Sequence, residues 1–204
     1  RMISDVPLGL FLSGGIDSSI VCGLMAGISD KPVETFSIGF KEASFDETSY
    51  ARCVAQAFAT HHHERILYAS ECADILPDVV SRMDVPMADA SVAPTWLLSK
   101  VTREKVTVAL GGDGSDELWA GYEHYIGFAL AQKYRSLPRF LRKGILEPLC
   151  RRLPASHGYI NLNLAAHNFL CAAAQPAWLR IQAMLTAFTP EMQEELLCHP
   201  DKAF

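Results

Sequence analysis

The sequence predicts an α/β fold in which a parallel sheet carries helices on both faces and is followed by an α-helical subdomain. Three observations carry this. Over residues 1–132, short apolar or alternating runs of strand length take turns with segments of helical periodicity. Two glycine-rich breaks, "LSGGIDSS" and "ALGGDGSDE", each follow such a run and open a helical segment, which is where ligands bind at the carboxyl ends of parallel strands. Residues 133–204 read as helical segments without strands, punctuated by Pro138, Pro148, Pro154, Pro176 and Pro190.

The first strand is "PLGLFL" (Pro7–Leu12), a continuous apolar run of the kind covered on both faces. "IDSSIVCGLMAGI" follows with apolar residues at helical spacing. "VETFSIGF" (Val33–Phe40) alternates and is rich in β-formers, and "FDETSYARCVAQAFA" is an amphipathic helix with a cap near Ser44 or Asp46 and acids in its first turn. "HHERILY" (His62–Tyr68) is a third strand, and "ASECADILPDVVSRM" a helix interrupted at Pro77. "APTWLLSKVTRE" is a further helix, and "KVTVALGG" (Lys105–Gly112) the clearest strand. "SDELWAGYEHYIGFALAQKY" runs on as one long helix.

Composition narrows the class. Half of the 204 residues are hydrophobic and the net charge is −5, which suits a sizeable globular core and offers no surface for nucleic acid or an anionic membrane. The basic residues in "KYRSLPRFLRK" and "CRRL" read as a solvated helix face. No apolar stretch reaches the roughly 18 residues of a membrane span. The six cysteines (Cys22, Cys53, Cys72, Cys150, Cys171, Cys198) form no CxxC pair and read as reduced thiols in a cytoplasmic protein. Because Arg1 stands directly ahead of a buried-looking strand, the chain is expected to be a piece of a longer protein.

The chemistry lies in the two breaks. Gly14 and Gly15 allow a close backbone approach, and Ser18 and Ser19 add hydroxyls at the start of a helix whose free N–H groups favour phosphate. No lysine follows the glycines, so this is not the Walker pattern. Asp17 would repel a bare phosphate, which points to Mg²⁺ bridging carboxylate and phosphate oxygens. In "GGDGSDE" (Gly111–Glu117), Asp116 and Glu117 fit a first helical turn, whereas Asp113 sits between Gly112 and Gly114, where no cap is needed. Asp17 and Asp116 together would make an oxygen-only cation site, leaving Asp113 free to take a proton or orient a nucleophile.

"FLSGGIDSS" resembles the pyrophosphate-binding PP-loop of the N-type ATP pyrophosphatases. "ALGGDGSDELWAGY" narrows the resemblance to glutamine-dependent asparagine synthetases, in which "SDVPLG", "TFSIGF", "FDETSYARCVA", "HHHE" and "DASVAPTWLLS" also fall in the expected order. The resemblance spans the chain to about Tyr125. It implies that residues 1–132 are a PP-loop ATP-binding synthetase core and 133–204 a truncated helical part of the same domain. It implies adenylation of the aspartate side chain with release of pyrophosphate, then displacement of AMP by ammonia to give asparagine. Ser13, Gly14, Gly15, Asp17, Ser18 and Ser19 would bind the pyrophosphate portion of ATP, and Asp17 and Asp116 would hold Mg²⁺. Leu12 and the backbone at Ile38 and Gly39 would frame adenosine, and Gly111 and Gly112 would line the nucleotide. Asp113 would assist ammonia attack, in a family where Glu is common at its position and Ser at that of Gly111. Asp89, Ser91 and Thr95 would meet aspartate.

The resemblance also implies an amino-terminal glutaminase domain as the source of ammonia and a later region completing the substrate pocket. These 204 residues contain neither, so alone they are expected to bind MgATP weakly and catalyse little. No nucleic acid or membrane is expected as a partner, and a homodimer is the assembly to test for. Two alternatives stand beside asparagine synthesis: another acyl-adenylating amidotransferase or cyclase, resembling β-lactam synthetases or lasso-peptide cyclases, and a non-catalytic nucleotide-binding module. His61, His62 and His63 read as polar strand-start residues, Trp96, Trp119 and Trp178 as packing residues, and Tyr122 and Tyr125 as packing behind the acid loop.

Overall fold

A computed structural model describes residues 2–85, 87, 89–154, 162–186 and 194–196. Pro190 and Cys198 lie outside the described residues. The chain divides into two compact units, Arg1–Ser115 and Asp116–Phe204, so the 132/133 boundary read from the sequence falls inside a helix of the second unit.

The first unit is built as β1 (Leu8–Phe11), α1 (Ile16–Ile28), β2 (Glu34–Phe40), α2 (Thr48–Ala57), β3 (His61–Leu67), α3 (Ala69–Ser81), α4 (Val92–Arg103) and β4 (Val108–Leu110). All four strands are parallel, in the order β3-β2-β1-β4. Parallel strands need crossovers, and α1 and α2 supply them. The pleat sends Leu8, Leu10 and Leu12 to the face where Cys22 and Met25 of α1 and Ala51 and Ala55 of α2 complete the core. On the opposite face, Gly9 leaves room for Phe36: a Cβ there would lie 2.8 Å from Phe36 Cε2.

The strand β3 shows why three successive histidines are not one cluster. His61 and His63 point to one face and hold the two carboxylate oxygens of Glu34, with Nδ1–Oε1 3.0 Å and Nε2–Oε2 2.6 Å. Burial pushes the Glu34 pKa up, but the hydrogen bonds from His63 and His61 more than offset it and hold the carboxyl below its ordinary value. His62 points to the other face, bonded to Thr35 Oγ1 at 3.0 Å and Ser37 Oγ at 3.2 Å, and burial pulls its pKa down.

Two helical expectations are corrected. Pro77 lies inside α3 without ending it. The single long helix after "GGDG" is instead α5 (Ser115–Trp119) and α6 (Glu123–Ser136). Ala120 takes a left-handed φ of 55° and the Gly121 N–H returns to the Asp116 carbonyl at 3.0 Å, a six-to-one closure that stops α5.

In the second unit, α6 packs against α9 (Leu162–Ala174) and α10 (Arg180–Leu185), with α7 (Arg139–Leu141), a π turn (Arg142–Leu146) and α8 (Glu147–Arg151) between α6 and α9. Small residues Ala131, Ala172 and Ala173 are fully buried there, and Tyr134 meets Phe169 edge to face at 5.6 Å. The basic cluster is only partly a solvated face. Arg135 donates to the Gln175 carbonyl at 2.9 Å, and Arg142 donates to the Leu137 carbonyl at 3.1 Å while lying over the Tyr134 ring. Trp119 and Trp178, expected to pack, are 77% and 79% exposed, whereas Trp96 is half-buried. Of the cysteines, Cys22 is buried but Cys53 and Cys171 are exposed. No helix among the described residues is long and apolar enough to cross a membrane.

A pH prediction follows from the other face of β3. Two 2.7 Å bonds from Arg52 hold the Glu64 carboxyl below its ordinary value. A carboxyl depressed in the folded state contributes stability that is complete above its unfolded pKa and is lost as pH falls through its folded pKa. Thermal denaturation of the protein should therefore shift downward between about pH 5 and pH 3 by more than that of Glu64→Gln. Equal shifts for the two would show that the pair contributes nothing.

Candidate functional site

The site is assembled from chain breaks at the carboxyl ends of β1 and β4. After β1 the chain keeps one more sheet bond, Leu12 N–H to the Phe36 carbonyl at 2.8 Å, and then turns. Gly14 has a φ of +85°, and a Cβ there would collide with the backbone of Tyr50 and Ala51 in the first turn of α2. Glycine is required on both counts. Gly15, extended at φ −66° and ψ 163°, is the N-cap of α1, and no side chain caps the helix. Its leading N–H groups are thereby left for an external acceptor.

The serines lace the loop together. Ser13 Oγ accepts the Gly15 N–H at 3.2 Å and lies 3.1 Å from Ser18 Oγ; Ser18 Oγ accepts the Ser13 N–H at 3.3 Å. Ser19 Oγ donates to the Gly15 carbonyl at 2.6 Å. Asp17 sits half-buried in the first turn of α1, and among the described residues its carboxylate has no hydrogen-bond or ion-pair partner.

The second break comes against the first. A Cβ on Gly112 would stand 3.0 Å from the Ser18 nitrogen and 3.1 Å from the Asp17 Cβ, so Gly112 brings the end of β4 onto the start of α1. The carboxylate of Asp113 folds back over Gly111 and is exposed, Gly114 has a φ of +85°, and the Ser115 N–H closes on the Gly112 carbonyl at 3.3 Å. Asp116 and Glu117 lie in the first turn of α5 in the second unit. There Tyr122 Oη donates to Glu117 Oε1 at 2.8 Å. That bond pushes the tyrosine pKa up to about 12. Tyr122 also stacks on His124, at 4.9 Å between centroids, and meets Tyr125 at 6.0 Å.

The residues expected to frame adenosine differ in what they offer. The Leu12 side chain is buried in the core, which leaves only its backbone to a ligand. Ile38 is half-buried, and Gly39 is buried: a Cβ on it would meet Ile66 Cδ1 at 2.7 Å and Asp46 Oδ1 at 2.9 Å. Asp89, Ser91 and Thr95 are exposed at the start of α4. There Asp89 Oδ1 accepts the Ser91 N–H at 2.8 Å, and this bond holds the Asp89 carboxyl below its ordinary value. A cavity of about 580 Å³ lies at the amino ends of the strands instead, lined by residues such as Leu8, Glu34, His61 and Lys105. It contains none of the glycine breaks, and in parallel sheets the carboxyl ends carry the chemistry.

The site fits a magnesium ion in its donor set. Asp17 and the neighbouring hydroxyls are hard oxygen donors, and no group of three or more His, Cys, Asp or Glu converges into a cage among the described residues. A hard cation held by one or two carboxylates and completed by substrate phosphates needs no such cage.

Sequence reasoning passed over Asp46, Thr48 and the Tyr50–Ala51 backbone. Asp46 stood out only as a cap candidate for α2, although Gly14 signalled that some element must pass close to the loop.

Gly14→Ala should lower the unfolding free energy by about 2 kcal/mol or more, since alanine meets both the left-handed φ and the α2 backbone. Urea denaturation of the two proteins measures this, and an unchanged midpoint would mean that the loop and α2 do not pack as described.

The asparagine synthase family matches residues 1–203. A Methanocaldococcus jannaschii protein named as a glutamine-hydrolysing asparagine synthetase is 39% identical over 178 residues, covering 86% of this chain and 34% of its own length. Asparagine synthetase [glutamine-hydrolyzing] 1 of Bacillus subtilis is 36% identical over 147 residues, covering 72% of this chain and 23% of its own. The maize asparagine synthetase [glutamine-hydrolyzing] is 33% identical over 172 residues, covering 78% and 27% respectively. The chain thus spans about a third or less of the length of these relatives. With a lysine-free glycine loop at the start of α1, a second glycine break packed against it and the family match along its length, this chain belongs to the asparagine synthase family.

Proposed function

We propose that this chain is the ATP-binding part of an amide-forming ligase that activates the side-chain carboxylate of aspartate as an acyl-adenylate, which ammonia then converts to asparagine. The observation that carries the reading is the pairing of an uncapped helix start at Gly15 with the close approach of Gly112 to Ser18 and Asp17. Two glycine-rich backbones and a helix N-terminus meet at one place, a disposition suited to a polyphosphate.

In the first step, a carboxylate oxygen of aspartate attacks the α-phosphorus of ATP while the bond to the bridging oxygen breaks and pyrophosphate leaves. In the second, ammonia attacks the acyl carbon, loses a proton and expels AMP. The N–H groups at the start of α1, with the Ser13–Ser18 lacing that holds the loop in shape, bind the departing pyrophosphate. Asp17 is the carboxylate for Mg²⁺. When bound, the ion neutralises charge on the phosphate oxygens. Asp113, exposed and flanked by glycines, takes the proton from the attacking amine. No protein nucleophile is needed, since positioning and charge neutralisation supply the catalysis. The relatives are named glutamine-hydrolysing, which supports a reading in which the ammonia comes from glutamine hydrolysed by a partner glutaminase domain.

Two measurements test the reading. With the complete protein, ammonium and MgATP, pyrophosphate release should require aspartate over other carboxylates; release independent of the acid, or none with any acid, overturns it. On this chain, Asp17→Ala should weaken MgATP binding at least about tenfold in calorimetric titration, a loss of about 1.4 kcal/mol. Unchanged affinity would remove Asp17 from the metal assignment.

A further inference from the structure

Gly14 rests on α2, so whatever fixes the first turn of α2 also fixes the loop. Thr48 opens that helix and is 2% exposed. Its N–H and hydroxyl both go to one carboxylate. Asp46 Oδ1 accepts the Thr48 N–H at 3.3 Å and the Phe40 N–H at 3.3 Å, and Asp46 Oδ2 accepts the Thr48 hydroxyl at 3.0 Å. The same hydroxyl oxygen accepts from Arg52 Nη2 at 3.2 Å, and Arg52 is clamped on Glu64 of β3 by two bonds of 2.7 Å. A continuous chain of charge-assisted bonds therefore runs from the end of β2, through the start of α2, to β3. The Thr48 methyl fills the space beside the buried Gly39, where a Cβ would collide with it. This anchored residue shares the first turn of α2 with Tyr50 and Ala51, whose backbone Gly14 touches.

We propose that Asp46, acting through Thr48 and Arg52, is a positioning residue for the nucleotide: it seats the first turn of α2 under Gly14 and so holds the loop at residues 13–19 in its phosphate-binding shape. This rests on the ATP reading above. A simple helix cap would stabilise α2 and leave the ligand indifferent. A brace sets the geometry of backbone N–H groups that never touch Asp46 itself. Burial pushes the Asp46 pKa up, yet the Thr48 and Phe40 bonds and the Arg52 charge outweigh it, so the brace keeps its charge at neutral pH.

The test compares three variants of this chain. Asp46→Asn removes the charge and one acceptor, and Thr48→Val keeps the shape while losing the hydroxyl. Val54→Ala loosens the same helix where it packs on the core, away from the brace. Calorimetric titration should show MgATP and magnesium pyrophosphate binding weakened about tenfold by Asp46→Asn and by Thr48→Val, about 1.4 kcal/mol. Val54→Ala should bind as the unaltered chain does despite a lowered melting temperature. Unchanged affinity in Asp46→Asn and Thr48→Val, or an equal loss in Val54→Ala, overturns the proposal. If the unaltered chain fails to bind either ligand, the ATP reading fails by itself, and amide exchange then decides the brace. Faster exchange of the Gly15 and Ser19 N–H groups in the two brace variants than in Val54→Ala upholds it, and equal exchange overturns it.

Discussion

The contact at Gly14 between the loop after β1 and the first turn of α2 is the point on which the arrangement of the first unit turns. A side chain there would strike the Tyr50 and Ala51 backbone, so the approach exists only because the residue has no Cβ. It adds to the hydrophobic face that the two crossover helices share through Leu10, Leu12, Cys22 and Ala51. The loop consequently does not depend on its own short-range bonds alone. Ser13, Ser18 and Ser19 lace it internally, and α2 supports it from outside.

A second close approach completes the site. Gly112 carries β4 onto Ser18 and Asp17, which puts a carboxylate beside an uncapped helix start. In isolation an acid in the first turn of a helix is an ordinary dipole partner. Lacking any partner among the described residues, and with two glycine-rich backbones beside it, it is the carboxylate on which the proposed cation site rests. Several polar side chains buried elsewhere in this unit are engaged with one another, as the Thr35–His62–Ser37 set and the Glu34 bridge between His61 and His63 illustrate. Asp17 stands apart from that economy.

Much of this was legible in the residues. The alternation of strand-length and helical runs gave the parallel sheet, and the edges of β2 and β3 fell within a residue of their expected places. Where the reading missed, the cause lies in local backbone geometry or in contacts made far along the chain. "SDELWAGYEHYIG" has the periodicity of a single helix, but Ala120 adopts a left-handed conformation, and Gly121 can accommodate the Asp116 side chain only because it lacks a Cβ. Pro77 was expected to interrupt α3, yet the helix runs through it. Arg135 and Arg142 resembled solvated charges because their partners are carbonyls, which no pattern of side chains announces.

The sequence by itself determined the fold class, the two glycine breaks and the acids within them, because these depend on periodicity and on residues whose backbone freedom or charge is intrinsic. Tertiary structure alone decided that the breaks touch, and that Asp46 reaches Phe40 and Thr48 at once. It also decided that Gly14 leans on α2. The contacts of Gly112 with Ser18 and of Gly14 with Tyr50 link residues tens of positions apart through the crossovers of a parallel sheet, and their geometry follows from strand order and register, which local pattern does not encode.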